Sequence, residues 1–180
     1  MRMEAGHSAL VLIDLQERLM PAIAGGERVI ERAGLLLQGA RTLDVPVLAT
    51  RQYPKGLGGL VAPFSEVLAA GECHDKLAFS ALAEEPVRDA LLALGRDQFI
   101  LVGVEAHVCV LQTALDLLAE GYRVAVVADA VSSRTTESRT LALERLGRQG
   151  AAVVNVEMVL FEWLEKAGTE AFRALSPLIR

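Results

Sequence analysis

Three polar side chains interrupt apolar surroundings at places suited to chemistry: Asp14, Lys76 and Cys109. Asp14 closes the apolar run Ser8 to Ile13, where a carboxylate is costly to bury without a partner. It serves equally well as a turn-forming or helix-capping residue. Cys109 lies in Gly103-Val104-Glu105-Ala106-His107-Val108-Cys109, at the passage from an apolar strand into a helical segment. A thiol in the first turn of a helix faces unsatisfied N–H groups and the positive end of the dipole, which stabilise a thiolate. A buried structural cysteine is the plainer alternative. Lys76, in Cys73-His74-Asp75-Lys76-Leu77-Ala78-Phe79-Ser80, reads on its own as a surface lysine. Brought together, the three would form a nucleophilic site. The carboxylate would accept the thiol proton, the ammonium would hold the ion pair, and the helix start would offer donors to an oxyanion. Spacing alone does not join them.

Other chemistries lack their residues. Asp-Leu-Gln-Glu follows Ile13 where a Gly-x-Gly-x-x-Gly would stand, and neither a Gly-Lys-Ser/Thr nor a Gly-x-Ser-x-Gly occurs. The histidines His7, His74 and His107 form no spaced ligand set, and Cys-x-x-Cys and His-Glu-x-x-His are absent. The expectation is a chain with no metal and no cofactor. Cys73, beside His74 and near Lys76, reads as a bystander.

The elements that must position these groups alternate. Apolar runs at Ser8–Ile13, Val45–Thr50, Gln98–Val102, Tyr122–Val127 and Ala151–Val156 are mostly continuous, as strands covered on both faces are. A less apolar strand is expected around Glu72–Lys76. Val29, Ala33, Leu36, Ala40 and Leu43 share one helical stripe, as do Val87, Ala90, Leu91 and Leu94, and again Val108, Leu111, Leu115 and Leu118. Further helices are expected over Thr136–Gln149 and Glu157–Ile179, the latter broken at Gly168. This alternation predicts an α/β domain with a mostly parallel sheet and right-handed crossovers. Ligands of such sheets lie at the carboxyl ends of the strands, where Asp14 falls. Gln52 to Pro63, rich in glycine and proline, reads as a functional loop.

The chain has 180 residues, 52% of them hydrophobic and only 4% aromatic, with a net charge of −5. That predicts a single domain over residues 1–180 with an aliphatic core. The acidic balance argues against nucleic acid as the main partner. No apolar run reaches the ~18 residues of a membrane span. Met1 to His7 is polar, and the apolar run after it is too short for a secretory signal. Two cysteines make no disulfide framework, and a cytoplasmic setting with reduced thiols is expected.

Taken in order, several motifs resemble the isochorismatase-like cysteine hydrolases. They are Asp14-Leu15-Gln16, Lys76 with Phe79-Ser80, the segment Gly103 to Cys109, and Asp129-Ala130-Val131-Ser132-Ser133-Arg134. Gln52-Tyr53-Pro54-Lys55-Gly56-Leu57-Gly58 is most similar to the subgroup called isochorismatase domain-containing proteins. The resemblance implies an α/β/α sandwich, three layers with a six-stranded, mostly parallel sheet in the order 3-2-1-4-5-6. It implies an Asp14–Lys76–Cys109 triad, a cis Val104–Glu105 peptide, and an oxyanion hole from the N–H groups of Glu105 and Cys109. Gln16, Tyr53 and Phe79 would line the substrate pocket. A small-molecule amide or related acyl substrate and a homo-oligomer, dimer or higher, are likewise implied, with a catalytically silent binding or scaffold protein and a thiol redox role as the rival readings. The departures narrow this. Thr50-Arg51-Gln52-Tyr53 replaces the Asp-x-His metal motif of nicotinamidases. Ala106 stands where many amidases of the family have threonine. Arg51 occupies a position that is acidic in the nearest subgroup, and the presence of Cys109 argues against isochorismate as substrate.

Overall fold

The computed structural model describes residues 1–179. Its strands are β1 (Ser8–Ile13), β2 (Val47–Gln52), β3 (Cys73–Lys76), β4 (Gln98–Val104), β5 (Arg123–Ser132) and β6 (Ala152–Val154). All strand pairings are parallel, as the alternation of elements predicts, and the order is β3-β2-β1-β4-β5-β6, as the family resemblance implies. The helices are α1 (Gly26–Thr42), α2 (Pro54–Leu57), α3 (Phe64–Val67), α4 (Glu85–Ala93), α5 (Leu111–Ala119), α6 (Thr136–Arg148), α7 (Val156–Leu164) and α8 (Glu170–Leu175). No helix among the described residues is long and apolar enough to cross a membrane.

The continuous apolar strands have the cover their composition demands. Leu10, Leu12, Val47, Ala49, Ile100 and Val102 pack with Ala33 and Leu36 of α1 and with Leu160 and Trp163 of α7. Their strand neighbours Val11, Ile13, Leu48, Phe99 and Leu101 point the other way, toward Leu91 of α4, Leu117 of α5 and Leu146 of α6. The alternation of side chains along a strand thus builds two cores from one sheet. At the amino end of β1, Trp163 donates its indole N–H to Ser8 Oγ at 2.9 Å.

Two differences from the sequence expectation have physical reasons. Strand β5 runs on to Ser132, because its pairing with β4 jumps from Leu101↔Val126 to Gly103↔Val131 and the residues between bulge out. The segment after Gln52 also carries structure of its own, with α2 and α3 and an isolated bridge from Gln16 to Leu60.

One glycine controls how closely β1 and β4 approach. Gly103 has φ 108°, and a Cβ there would lie 2.0 Å from the Ile13 carbonyl oxygen, a backbone atom that cannot step aside. Gly103→Ala is expected to destabilise the protein by on the order of 3–5 kcal/mol, as strain and overpacking combine. Denaturant unfolding of the variant measures this directly.

Candidate active site

The functional side chains sit at the carboxyl ends of adjacent strands. Asp14 follows β1, Gln52 ends β2, Lys76 ends β3, and Glu105 follows β4. Asp14 adopts φ 53°, a left-handed turn that aspartate tolerates better than most residues. The turn is closed by the Gln16 N–H donating to the Asp14 carbonyl at 2.8 Å. Its carboxylate accepts from Thr50 Oγ1 at 2.7 Å and from Lys76 Nζ at 2.8 Å. Neither side chain of the Asp14–Lys76 pair has any exposed surface.

Lys76 is therefore not the surface lysine its local sequence suggests. Its ammonium also donates to Gln52 Oε1 at 2.6 Å, to the Phe79 carbonyl at 3.1 Å and to the Ala78 carbonyl at 3.3 Å. A buried ammonium demands such partners, and the tight turn after β3 supplies two of them as backbone carbonyls.

Cys109 is buried, with Sγ 4.0 Å from Gln52 Oε1. Burial first, and then the negative charge of Asp14, push its thiol up to about 12, while the Lys76 ammonium opposes the rise. This corrects the expectation of a thiolate stabilised by a helix start. The residue sits in a wide π turn, Ala106–Val110, ahead of α5. In that turn the Glu105 carbonyl accepts from both Val108 N and Val110 N, at 3.0 and 3.2 Å. Desolvation and a neighbouring carboxylate prevail there over the turn's N–H groups, so the resting group is the neutral thiol.

The Val104–Glu105 peptide is cis. The Glu105 N–H takes no part in the backbone hydrogen bonds of the turn. The Glu105 carboxylate accepts from the N–H and the Nε of Arg134, at 3.0 and 3.1 Å, and His107 Nδ1 lies 2.9 Å from Ser133 Oγ. The loop between β5 and α6 thus braces the turn that carries Cys109.

Of the residues expected to line a pocket, Tyr53 and Phe79 are each 52% exposed beside the buried pair. The Tyr53 N–H donates to the Lys76 carbonyl at 2.9 Å. Gln16 is different: it has no exposed surface, and its amide is spent on backbone. Nε2 donates to the carbonyls of Gln52 and Gly58 at 3.0 and 2.9 Å, and Oε1 accepts from Gln52 N at 2.7 Å. It anchors the end of β2 instead of facing a cavity. Arg51 points to the opposite face of β2 and pairs with Asp75 at 2.6 Å, away from the triad.

Sequence reasoning passed over Thr50 and Gln52. Their signal was present, since two polar residues at i and i+2 near the end of an apolar strand share one face. Among the described residues, no group of three or more His, Cys, Asp or Glu side chains is gathered as a metal-ligand set. Cys73 and Cys109 are both free.

Comparison with known proteins bears on the fold that carries these residues. A family model described as "Isochorismatase domain" matches residues 8–158. The chain is 39% identical over 180 residues to isochorismatase domain-containing protein 2 of Danio rerio, covering 99% of this chain and 89% of that one. Among solved structures, one titled MAR1 ribonuclease from Caenorhabditis elegans superposes with a TM-score of 0.92 at 38% identity, over 99% of this chain and 92% of that one. YcaC from Pseudomonas aeruginosa, described with hexane-2,5-diol and covalent acrylamide, superposes at 0.91 with 26% identity, over 98% and 91% of the two chains.

Proposed function

This chain belongs to the isochorismatase domain family, and from that premise we propose that it is a metal-independent cysteine hydrolase of a small amide or related acyl compound. The observation that carries the reading is the Asp14–Lys76 ion pair, wholly buried and joined to the thiol through one amide oxygen. A buried ion pair contributes little or nothing to stability compared with apolar packing, which supports a chemical purpose for it.

The steps follow from the positions. Asp14 takes the thiol proton as Cys109 Sγ attacks the substrate carbonyl. The tetrahedral oxyanion is held by the N–H groups of Glu105 and Cys109, donors of a kind worth about 3–4 kcal/mol each. Asp14 returns the proton to the leaving nitrogen, the C–N bond breaks and a thioester remains. Water then gives a proton to Asp14 and its oxygen to the acyl carbon. The acid departs as the proton goes back to sulfur. Lys76 stays an ammonium throughout, offsetting the charge that passes between Asp14 and Cys109. Two free cysteines support a reducing, cytoplasmic setting. Tyr53, Leu77 and Phe79, exposed at 52%, 68% and 52%, support a homo-oligomer in which a second copy covers them.

Ribonuclease activity is the second reading, because the C. elegans structure at 38% identity carries that title. The two separate by experiment. Primary amides, N-carbamoyl compounds, aryl esters and single-stranded RNA are offered to the protein, and its intact mass is read during turnover. Amine release with an acyl adduct on Cys109 is the expected result, unchanged by a chelator. RNA cleavage with no adduct would overturn the thioester route. Failure of every substrate would favour a binding or scaffold protein.

A further inference from the structure

Gln52 is held by both its backbone and its side chain, and no step of the chemistry described so far uses it. Its backbone N–H and carbonyl are both clasped by the Gln16 amide, at 2.7 and 3.0 Å. Its Nε2 donates to the Leu77 carbonyl at 2.7 Å, and its Oε1 accepts from Lys76 Nζ at 2.6 Å. These two bonds forbid the flipped amide, which would set NH2 against an ammonium and oxygen against a carbonyl. The atom facing Cys109 Sγ at 4.0 Å is therefore oxygen. Oxygen without a hydrogen can only accept, so sulfur must donate.

We propose that Gln52 is a positioning residue: its locked carbonyl holds Cys109 as a thiol at rest and draws part of the Lys76 ammonium away from Asp14. The negative end of the amide dipole faces the sulfur and opposes a thiolate until substrate arrives. By sharing the ammonium, the same oxygen leaves Asp14 more able to take the proton. The role rests on the hydrolase reading given above and names the group that governs when its nucleophile ionises. Gln16 acts through Gln52 by fixing the end of β2.

The charged groups that act on the thiol are Asp14 after β1 and Lys76 of β3. The others packed nearby are engaged elsewhere. On the thiol's own turn, Glu105 is bound by Arg134 and His107 lies against Ser133. Arg139 of α6 donates to the carbonyls of Val131 and Ala128, and Asp116 of α5 accepts from Ser80 at 2.5 Å. A change at Gln52 is thus read against a fixed electrostatic background.

The test is the rate of acrylamide addition to Cys109 against pH, with Cys73 resolved separately by peptide mass, for the wild type, Gln52→Leu and Gln52→Glu. Leucine removes the opposing oxygen, so the apparent ionisation moves down by about one pH unit and addition at neutral pH quickens about tenfold. Glutamate places a full negative charge at the same point, so addition slows and the profile moves up. Opposite signs are the signature. A residue that merely filled space would shift both variants together, and such a result, or no shift in either, overturns the proposal. If the leucine variant does not fold, Gln52→Met, which also lacks the carbonyl, takes its place, and the same pair of opposite shifts is read. Acrylamide addition needs no turnover, so these outcomes stand whether or not an acyl adduct forms in the wild type. The adduct tests the hydrolase reading separately.

Discussion

Cys109→Ala is expected to abolish amide hydrolysis and to do so without unfolding the protein. Removing a nucleophile that works as one unit with its base and oxyanion donors costs on the order of 10⁴-fold or more in kcat. The donors and the binding surface survive the change, and what remains is their residual acceleration. Structurally the loss is one buried sulfur atom, and the cavity it leaves costs about 1–2 kcal/mol. The circular dichroism spectrum should therefore be unchanged and the denaturation midpoint only slightly lower. The intact mass should show no acyl adduct with any substrate. Amide turnover that survives the substitution would sink the covalent mechanism.

The second large effect is on stability. Lys76→Met leaves the Asp14 carboxylate with no exposed surface, the Thr50 hydroxyl as a hydrogen-bond donor and no cation to balance its charge. Breaking a buried pair on one side costs about 3–5 kcal/mol, because the remaining charge is uncompensated. Asp14→Asn combined with Lys76→Met removes both charges and should recover most of that loss, with no return of activity. Urea unfolding of the two single variants and the double variant measures the coupling between the sites. Simple addition of the two single losses would mean that the pair is not coupled.

Much of the scaffold is legible because it follows from cover. Ser8–Ile13 and Gln98–Val104 are apolar at almost every position, and only a strand packed on both faces has use for that. Asp14 and Cys109 stand out because each ends or begins such an element. Lys76 does not stand out, since its strand is four residues long and Cys73 is its one apolar residue. What buries it is topology: β3 lies two places from β1, and the Lys76 side chain crosses the end of β2, past Gln52, to reach Asp14 directly. That juxtaposition is a property of the sheet order, and here the family resemblance supplied what local pattern does not. The state of the thiol was legible only in part. A helix start argues for a thiolate, but the balance is decided by how much water the folded chain excludes and where Asp14 comes to rest. Gln16 shows the same division. Its position beside Asp14 suggests a substrate contact, yet both ends of its amide are consumed by backbone groups from β2 and the following loop.

The chain holds a single tryptophan, and the bond from Trp163 to Ser8 ties it to the amino end of the central strand, whereas the triad gathers at the carboxyl end. That separation makes the indole a spectroscopic reporter of one thing only. Its fluorescence is expected to change when the β1–α7 contact opens and to stay silent to events confined to the opposite end of the strand. An emission trace recorded during turnover is thus an internal gauge of whether a variant has lost its chemistry or its fold.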